Sequence, residues 1–201
     1  VRAMGDLGLF GIPFPEPYGG GGDLRSLCVA IEEIAYADQS LAITLEAGVG
    51  LGANPVARFG TVAQQAEWLP DLCAGRALGA FGLTEPGAGS DAGRTRTTAV
   101  LDPVTDEWVI NGEKAFITNS GTEITSVVTI TAVTGPGEIS AILVPSGTPG
   151  MVVLPAYQKL GWHASDTHGL AFTDCRVPVG NLLGDRGRGF AQFLSVLDEG
   201  R

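Results

Sequence analysis

The hydrophobic positions of this chain change their period twice. From Asp23, a residue suited to an N-cap, Leu24, Leu27, Ile31, Ile34 and Ala35 recur at spacings of three and four, while Arg25, Glu32 and Glu33 fall off that stripe. The spacing predicts an amphipathic helix. A second helical pattern starts near Ser40. A third opens at Thr61, with Gln64 in the capping-box position, and closes around Gly75 after Pro70. Residues 1–78 therefore read as a helical domain.

Past Ala80, short runs rich in Thr, Val and Ile alternate with turn signals at Asp102-Pro103, Asn111-Gly112, Gly135-Pro136-Gly137 and Thr148-Pro149-Gly150. Strands are expected at 96–101, 107–110, 113–118, 126–133, 139–144, 151–158 and 170–177, the second and third joined by a hairpin at Asn111-Gly112. Such a series implies a β-sandwich or barrel over residues 79–186. From about Gly187, the positions Phe190, Phe193, Leu194 and Leu197 return to helical spacing. The predicted fold class is α+β: a helical domain, a β-domain, and the first turns of a further helical part at 187–201. The chain starts at Val1 and stops at Asp198-Glu199-Gly200-Arg201 as if a helix were interrupted, so both ends read as cuts in a longer parent.

Composition narrows the function classes. With 201 residues, 44% hydrophobic and a mean hydropathy of +0.22, the chain can bury a sizeable core. Its 22 acids against 12 bases give a net charge of −10, which argues against nucleic acid as a partner. The weakly polar stretch 40–57 carries Glu46, Asn54, Gly48, Gly50, Gly52 and Pro55, which disqualifies it as a membrane span. Residues 1–12 lack the pattern of a signal peptide, and a cytoplasmic protein is expected. Cys28, Cys73 and Cys175 are widely spaced and odd in number, so they read as buried thiols rather than a disulfide or zinc framework.

Candidate chemistry centres on Ala80-Phe81-Gly82-Leu83-Thr84-Glu85-Pro86-Gly87-Ala88-Gly89-Ser90-Asp91, where an apolar strand runs into a Gly-rich polar loop. Gly87 and Gly89 permit positive φ and bare amides, and Ser90 adds a hydroxyl, a set able to hold a pyrophosphate; an ordinary Pro-Gly turn is the alternative. The same run fits a dinucleotide fingerprint only weakly, because strand-like residues follow where a helix is needed. Gly19 to Gly22 reads as a flexible entry into the Asp23 helix. His163, Asp166 and His168 read as a polar loop, since neither a nucleophile elbow nor further metal ligands accompany them. Glu85 reads as a cap of its own loop rather than a base.

Thr84 to Asp91, together with Phe116-Ile117-Thr118, closely resembles the acyl-CoA dehydrogenase family. Flanking segments share the resemblance: Pro17-Tyr18-Gly19-Gly20, Asn111-Gly112-Glu113-Lys114, Lys159-Leu160-Gly161, Asn181-Leu182-Leu183-Gly184, and Leu197-Asp198 with Arg201. It covers essentially the whole chain. The resemblance implies a subunit of helical, β and four-helix-bundle parts that carries FAD, with no metal. Backbone groups of Phe81, Leu83 and Thr84 would meet the flavin's pyrimidine side, Gly89 and Ser90 the pyrophosphate, Phe116 and Ile117 the ring, and Thr118 the N5 and O4 edge. Ser90, Asp198 and Arg201 would reach the acyl-CoA substrate.

The implied reaction is α,β-dehydrogenation of an acyl thioester, with electrons passed to an electron-transfer flavoprotein, in a homotetramer or homodimer. A flavin monooxygenase or oxidase of the same fold, and a non-catalytic flavin-binding module, are the alternatives. The family's base is a glutamate expected beyond Arg201, or in a minority branch at the place held here by Gly200. Glu199 is one residue away, and a helix turns about 100° per residue, so it is expected to point elsewhere.

Overall fold

The computed structural model describes residues 1–199, so Gly200 and Arg201, and with them the expected substrate contact at Arg201, lie outside the described residues. The helical part runs α1 (Arg2–Asp6), α2 (Leu24–Ala37), α3 (Gln39–Glu46), a π-helix (Ala47–Ala53), α4 (Asn54–Phe59) and α5 (Val62–Cys73). Local chemistry starts these helices where the sequence signals them. The Asp23 carboxylate accepts the Ser26 amide at 2.9 Å, and Thr61 and Gln64 form the reciprocal capping box of α5. Pro70 sits inside α5, within its last turn, and does not stop it. The stretch 40–57, full of glycine, stays helical by switching from α to π winding between Glu46 and Asn54.

Eight strands follow: β1 (Leu78–Gly82), β2 (Thr98–Asp102), β3 (Glu107–Thr118), β4 (Thr125–Gly135), β5 (Glu138–Pro145), β6 (Met151–Val153), β7 (Thr167–Pro178) and β8 (Leu182–Leu183). They form one sheet in the order β6-β7-β3-β2-β4-β5-β8, with β1 added parallel to β4. The class is α+β as expected, but among the described residues the hydrogen-bonded order is open at β6 and β8, and no barrel closes.

Three expected strands need correction. Asn111-Gly112 makes no hairpin: 107–110 and 113–118 are one continuous strand, antiparallel to β7, and Gly112 at φ 145°, paired with Phe172, closes a bulge that begins after Ile110. A Cβ at Gly112 would stand 2.6 Å from the Thr97 Cα, so the close passage of the loop before β2 also requires glycine here. The strand expected over 151–158 stops at Val153, after which the chain leaves the sheet.

Two apolar clusters hold the molecule together. One joins Phe10, Leu45, Val49, Val56, Leu69 and Leu72 of the helical part to Leu78, Val127 and Leu143 of the sheet and to Phe193 of α6 (Gly189–Leu197). The other fills the sheet with Trp108, Ile110, Ile130, Ile142, Phe172 and Val177. Each fully buried large apolar side chain contributes roughly 1.5–3 kcal/mol relative to exposure. Because the first cluster spans helices and sheet, the groove between them is positioned by packed core on both sides. Cys73 and Cys175 are buried free thiols, their pKa values pushed up to about 12 and about 11 by burial, whereas Cys28 is exposed, contrary to expectation.

Candidate functional site

The two sequence motifs meet. Ala115 on β3 donates its backbone N–H to the Thr84 carbonyl at 2.9 Å, which sets the end of β1 beside the middle of β3. Beneath that junction Lys114, 1% exposed, places Nζ 2.8 Å from Glu85 Oε1, 3.1 Å from Thr131 Oγ1 and 3.3 Å from the Leu83 carbonyl. The Glu85 carboxylate then accepts the amides of Arg96 at 2.7 Å and Thr97 at 3.1 Å, which ties off the Gly-rich loop at both ends. Burial works to raise the Glu85 pKa, but Lys114 and these amides outweigh it and hold the carboxyl below its ordinary range. Burial likewise pushes the Lys114 ammonium down, against the pull of Glu85. Glu85 therefore acts as a loop cap.

Above the brace lies a cavity of about 210 Å³ lined by Ala47, Leu51, Phe81, Leu83, Thr84, Phe116, Ile117, Thr118 and Leu197. Six of the expected flavin-contacting residues thus share one cavity. Phe116 has an unusual presentation. It stands in a second bulge of β3, between the pairings of Lys114 and Ile117 with β7, at φ 60°, and 64% of it is exposed. A left-handed phenylalanine costs on the order of 1–3 kcal/mol, and the ring so displayed lies beside Tyr157, with centroids 4.8 Å apart. The opposite wall is secured by Phe81 stacking on Phe193 of α6 at 3.9 Å.

Gly89 and Ser90 do not line the cavity; both are exposed on the loop that leaves it. Neither Gly87 nor Gly89 uses the positive φ that glycine permits. A Cβ at Gly89 would meet nothing within 4 Å, so neither backbone conformation nor internal packing requires glycine at that position. Asp198 is exposed at the C-terminal end of α6, outside the cavity lining.

Sequence reasoning missed Ala47, Leu51, Leu197 and Tyr157. Ala47 and Leu51 are four apart on the π-helix, a spacing that was present in the sequence but hidden among glycines. Among the described residues that line the cavity, none is titratable. Glu199 turns away, as expected, to hold Arg58 at 2.8 Å and Asn54 at 2.9 Å. It borders a separate cavity of about 680 Å³ together with Glu46, whose carboxyl is raised by burial. His163 and Asp166 sit in a loop, but His168 belongs to β7, where it bonds Asp166 at 2.8 Å and the Leu154 carbonyl at 2.6 Å. Among the described residues no group of three or more His, Cys, Asp or Glu is placed to hold a metal, and no helix is long and apolar enough to cross a membrane.

Comparisons with known proteins agree with this geometry. The family models for the acyl-CoA dehydrogenase N-terminal domain and middle domain match residues 1–76 and 80–175. A probable acyl-CoA dehydrogenase of Bacillus subtilis, YngJ, is 50% identical over 100% of this chain and 53% of its own length. Among solved structures, butyryl-CoA dehydrogenase from Megasphaera elsdenii superposes with a TM-score of 0.94 at 41% identity, over 99% of this chain and 53% of that one. An acyl-CoA dehydrogenase complexed with FAD from Bacillus anthracis gives 0.93 at 38% identity, over 99% and 34%. The chain spans about half the length of the curated relatives it matches. With both family domains matched in order and the fold shared throughout, the chain belongs to the acyl-CoA dehydrogenase family.

Proposed function

We propose that the protein binds FAD in the cavity between β1, β3 and the π-helix and serves the α,β-dehydrogenation of an acyl-CoA thioester. The observation that carries this reading is the exposed, left-handed Phe116 ring set beside Phe81, Leu83, Thr84, Ile117 and Thr118 in one cavity. An aromatic face held out of the core at a conformational cost suits a flat aromatic ligand. The open space over Gly89, next to the Ser90 hydroxyl, suits a phosphate group approaching backbone closely.

In this reading, backbone groups of Phe81, Leu83 and Thr84 hold the pyrimidine side, the Thr118 hydroxyl donates near N5 and O4, and Gly89 and Ser90 take the pyrophosphate. FAD, when bound, supplies the acceptor for the β-hydrogen, transferred as hydride. The apolar wall of Ala47, Leu51 and Leu197 excludes water from the reacting carbons. Since the described lining holds no titratable side chain, the α-proton goes to a base contributed from outside the described residues. Ser90, Asp198 and Arg201 serve the CoA portion. An electron-transfer flavoprotein as electron acceptor, a cytoplasmic setting and a homodimeric or homotetrameric assembly complete the proposal.

The deciding experiment is anaerobic addition of saturated acyl-CoA thioesters to the whole protein purified with its flavin. Bleaching of the flavin absorbance, with electrons recovered by electron-transfer flavoprotein, is expected. Bleaching followed by rapid reoxidation in air would instead identify an oxygen-using relative. Flavin that no acyl-CoA reduces would leave a binding module, and failure to retain flavin would end the reading altogether.

A further inference from the structure

We infer that Asn119 is a positioning residue that locks the two walls of the cavity together; the inference rests on the flavin reading above. Asn119 follows Thr118 directly, is fully buried, and adopts φ 61°. Its side-chain Nδ2 donates to the Thr44 carbonyl at 3.1 Å, its backbone N–H to the Asp166 carbonyl at 3.2 Å, and its own carbonyl accepts the Thr125 hydroxyl at 2.7 Å.

The place of the Thr44 bond gives it meaning. Thr44 lies in the last turn of α3, just before the winding changes from α to π at Ala47. There the Ala47 N–H reaches both the Ile43 and Thr44 carbonyls, and the second lone pair of the Thr44 carbonyl remains for a donor from outside the helix. The Asn119 amide takes such a carbonyl and joins it across 75 residues of chain to the strand that carries Phe116, Ile117 and Thr118. Ala47 and Leu51, on the other wall, begin within one turn of Thr44. To the packed core that sets the groove, this side-chain amide adds one directional bond between the helical wall and the flavin-facing strand.

Two further features argue that this bond is selected for position rather than stability. A left-handed asparagine is tolerated but not favoured. Its Oδ1 is buried with no hydrogen-bond partner among the described residues, which carries a desolvation cost. Aspartate would set a carboxylate against the Thr44 carbonyl. Alanine would lose both the bridge and the tolerance of positive φ, whereas glycine keeps the backbone and removes the bridge alone.

The test compares Asn119→Gly and Asn119→Asp with Gln64→Ala in the whole protein. Gln64 is a matched control, because it too joins helix to sheet through its amide, at the Gly180 and Leu182 carbonyls, away from the cavity. FAD dissociation constants, flavin visible circular dichroism and melting temperatures are measured for all three. Both Asn119 variants are expected to bind FAD about tenfold more weakly than the unmodified protein and to change the flavin dichroism. Gln64→Ala is expected to melt at lower temperature with flavin affinity and dichroism unchanged. If Asn119→Gly keeps affinity and dichroism, or Gln64→Ala loses as much of both, the positioning role is wrong. Should the unmodified protein bind no FAD, the flavin reading fails instead.

Discussion

Lys114 Nζ lies 2.8 Å from Glu85 Oε1 with the lysine 1% and the glutamate 5% exposed, so the two sequence motifs are joined under the cavity by an ion pair sealed from water. Taking such charges out of solvent is costly, and the pair persists because each partner is satisfied by further bonds, Lys114 at Leu83 and Thr131, Glu85 at Arg96 and Thr97. Removing one partner strands the other. Lys114→Met alone and Glu85→Gln alone should each lower stability by roughly 3 kcal/mol, whereas the two substitutions combined should cost clearly less than the sum. Urea unfolding of the three variants gives the coupling energy, and additive losses would mean the pair does not act as a unit.

The same pair sets the acid limit of the fold. Glu85 has a folded pKa below the ordinary glutamate value of 4.5, so the unfolded chain binds its proton more readily. Its contribution is complete above 4.5 and disappears as pH falls through the lower folded value. Stability measured from neutral pH downward should therefore drop steeply below pH 4.5, and the slope there should be shallower in Glu85→Gln. An identical acid profile in that variant would assign the loss to other carboxylates, such as Asp102.

Phe116 sets stability against binding. Its left-handed backbone is a strained choice for an aromatic residue, and its ring gains little burial in return. Phe116→Gly should leave the protein as stable or up to about 1 kcal/mol more stable, while flavin affinity falls. Phe116→Ala, which loses the ring and keeps the strain, should lose on both counts. Thermal melts with and without FAD separate these effects, and a Phe116→Gly variant with normal flavin affinity would show that the ring is not a cofactor platform.

What could be read from the sequence was what local chemistry decides. Asp23 and Thr61 start helices by bonding amides a few residues ahead, so their caps are visible in any short window. Asn111-Gly112 misled for the opposite reason. The dipeptide favours a tight turn in isolation, but β7 supplies a pairing partner along the whole of β3, and Gly112 uses its positive φ for a bulge instead. The motif residues Phe81, Leu83, Thr84, Phe116, Ile117 and Thr118 line one cavity, while Gly89 and Ser90 do not. Leu51, Leu197 and Tyr157 reach that region through tertiary packing, which no local pattern encodes. Gly87 and Gly89 of the polar loop permit a positive φ, but neither adopts one, so the freedom that the sequence offers there is not used by the backbone.

That last point separates two kinds of glycine by experiment. Gly52 on the π-helix and Gly79 on β1 touch backbone to backbone, and a Cβ at Gly52 would stand 2.6 Å from the Gly79 carbonyl oxygen. Neither backbone can retreat without disturbing the first apolar cluster, so Gly52→Ala should cost roughly 1–3 kcal/mol or more. Gly89 has no neighbour within 4 Å of such an atom and no positive φ, so Gly89→Ala should change stability by less than about 0.5 kcal/mol. Its methyl would stand where a phosphate is proposed to approach the amides beside Ser90, and FAD or acyl-CoA binding should weaken even though the fold is intact. Equilibrium unfolding paired with ligand titration distinguishes the outcomes. A Gly89→Ala protein that binds both ligands normally would remove the loop from the site, and one that unfolds would show that the loop packs more tightly than this structure has it.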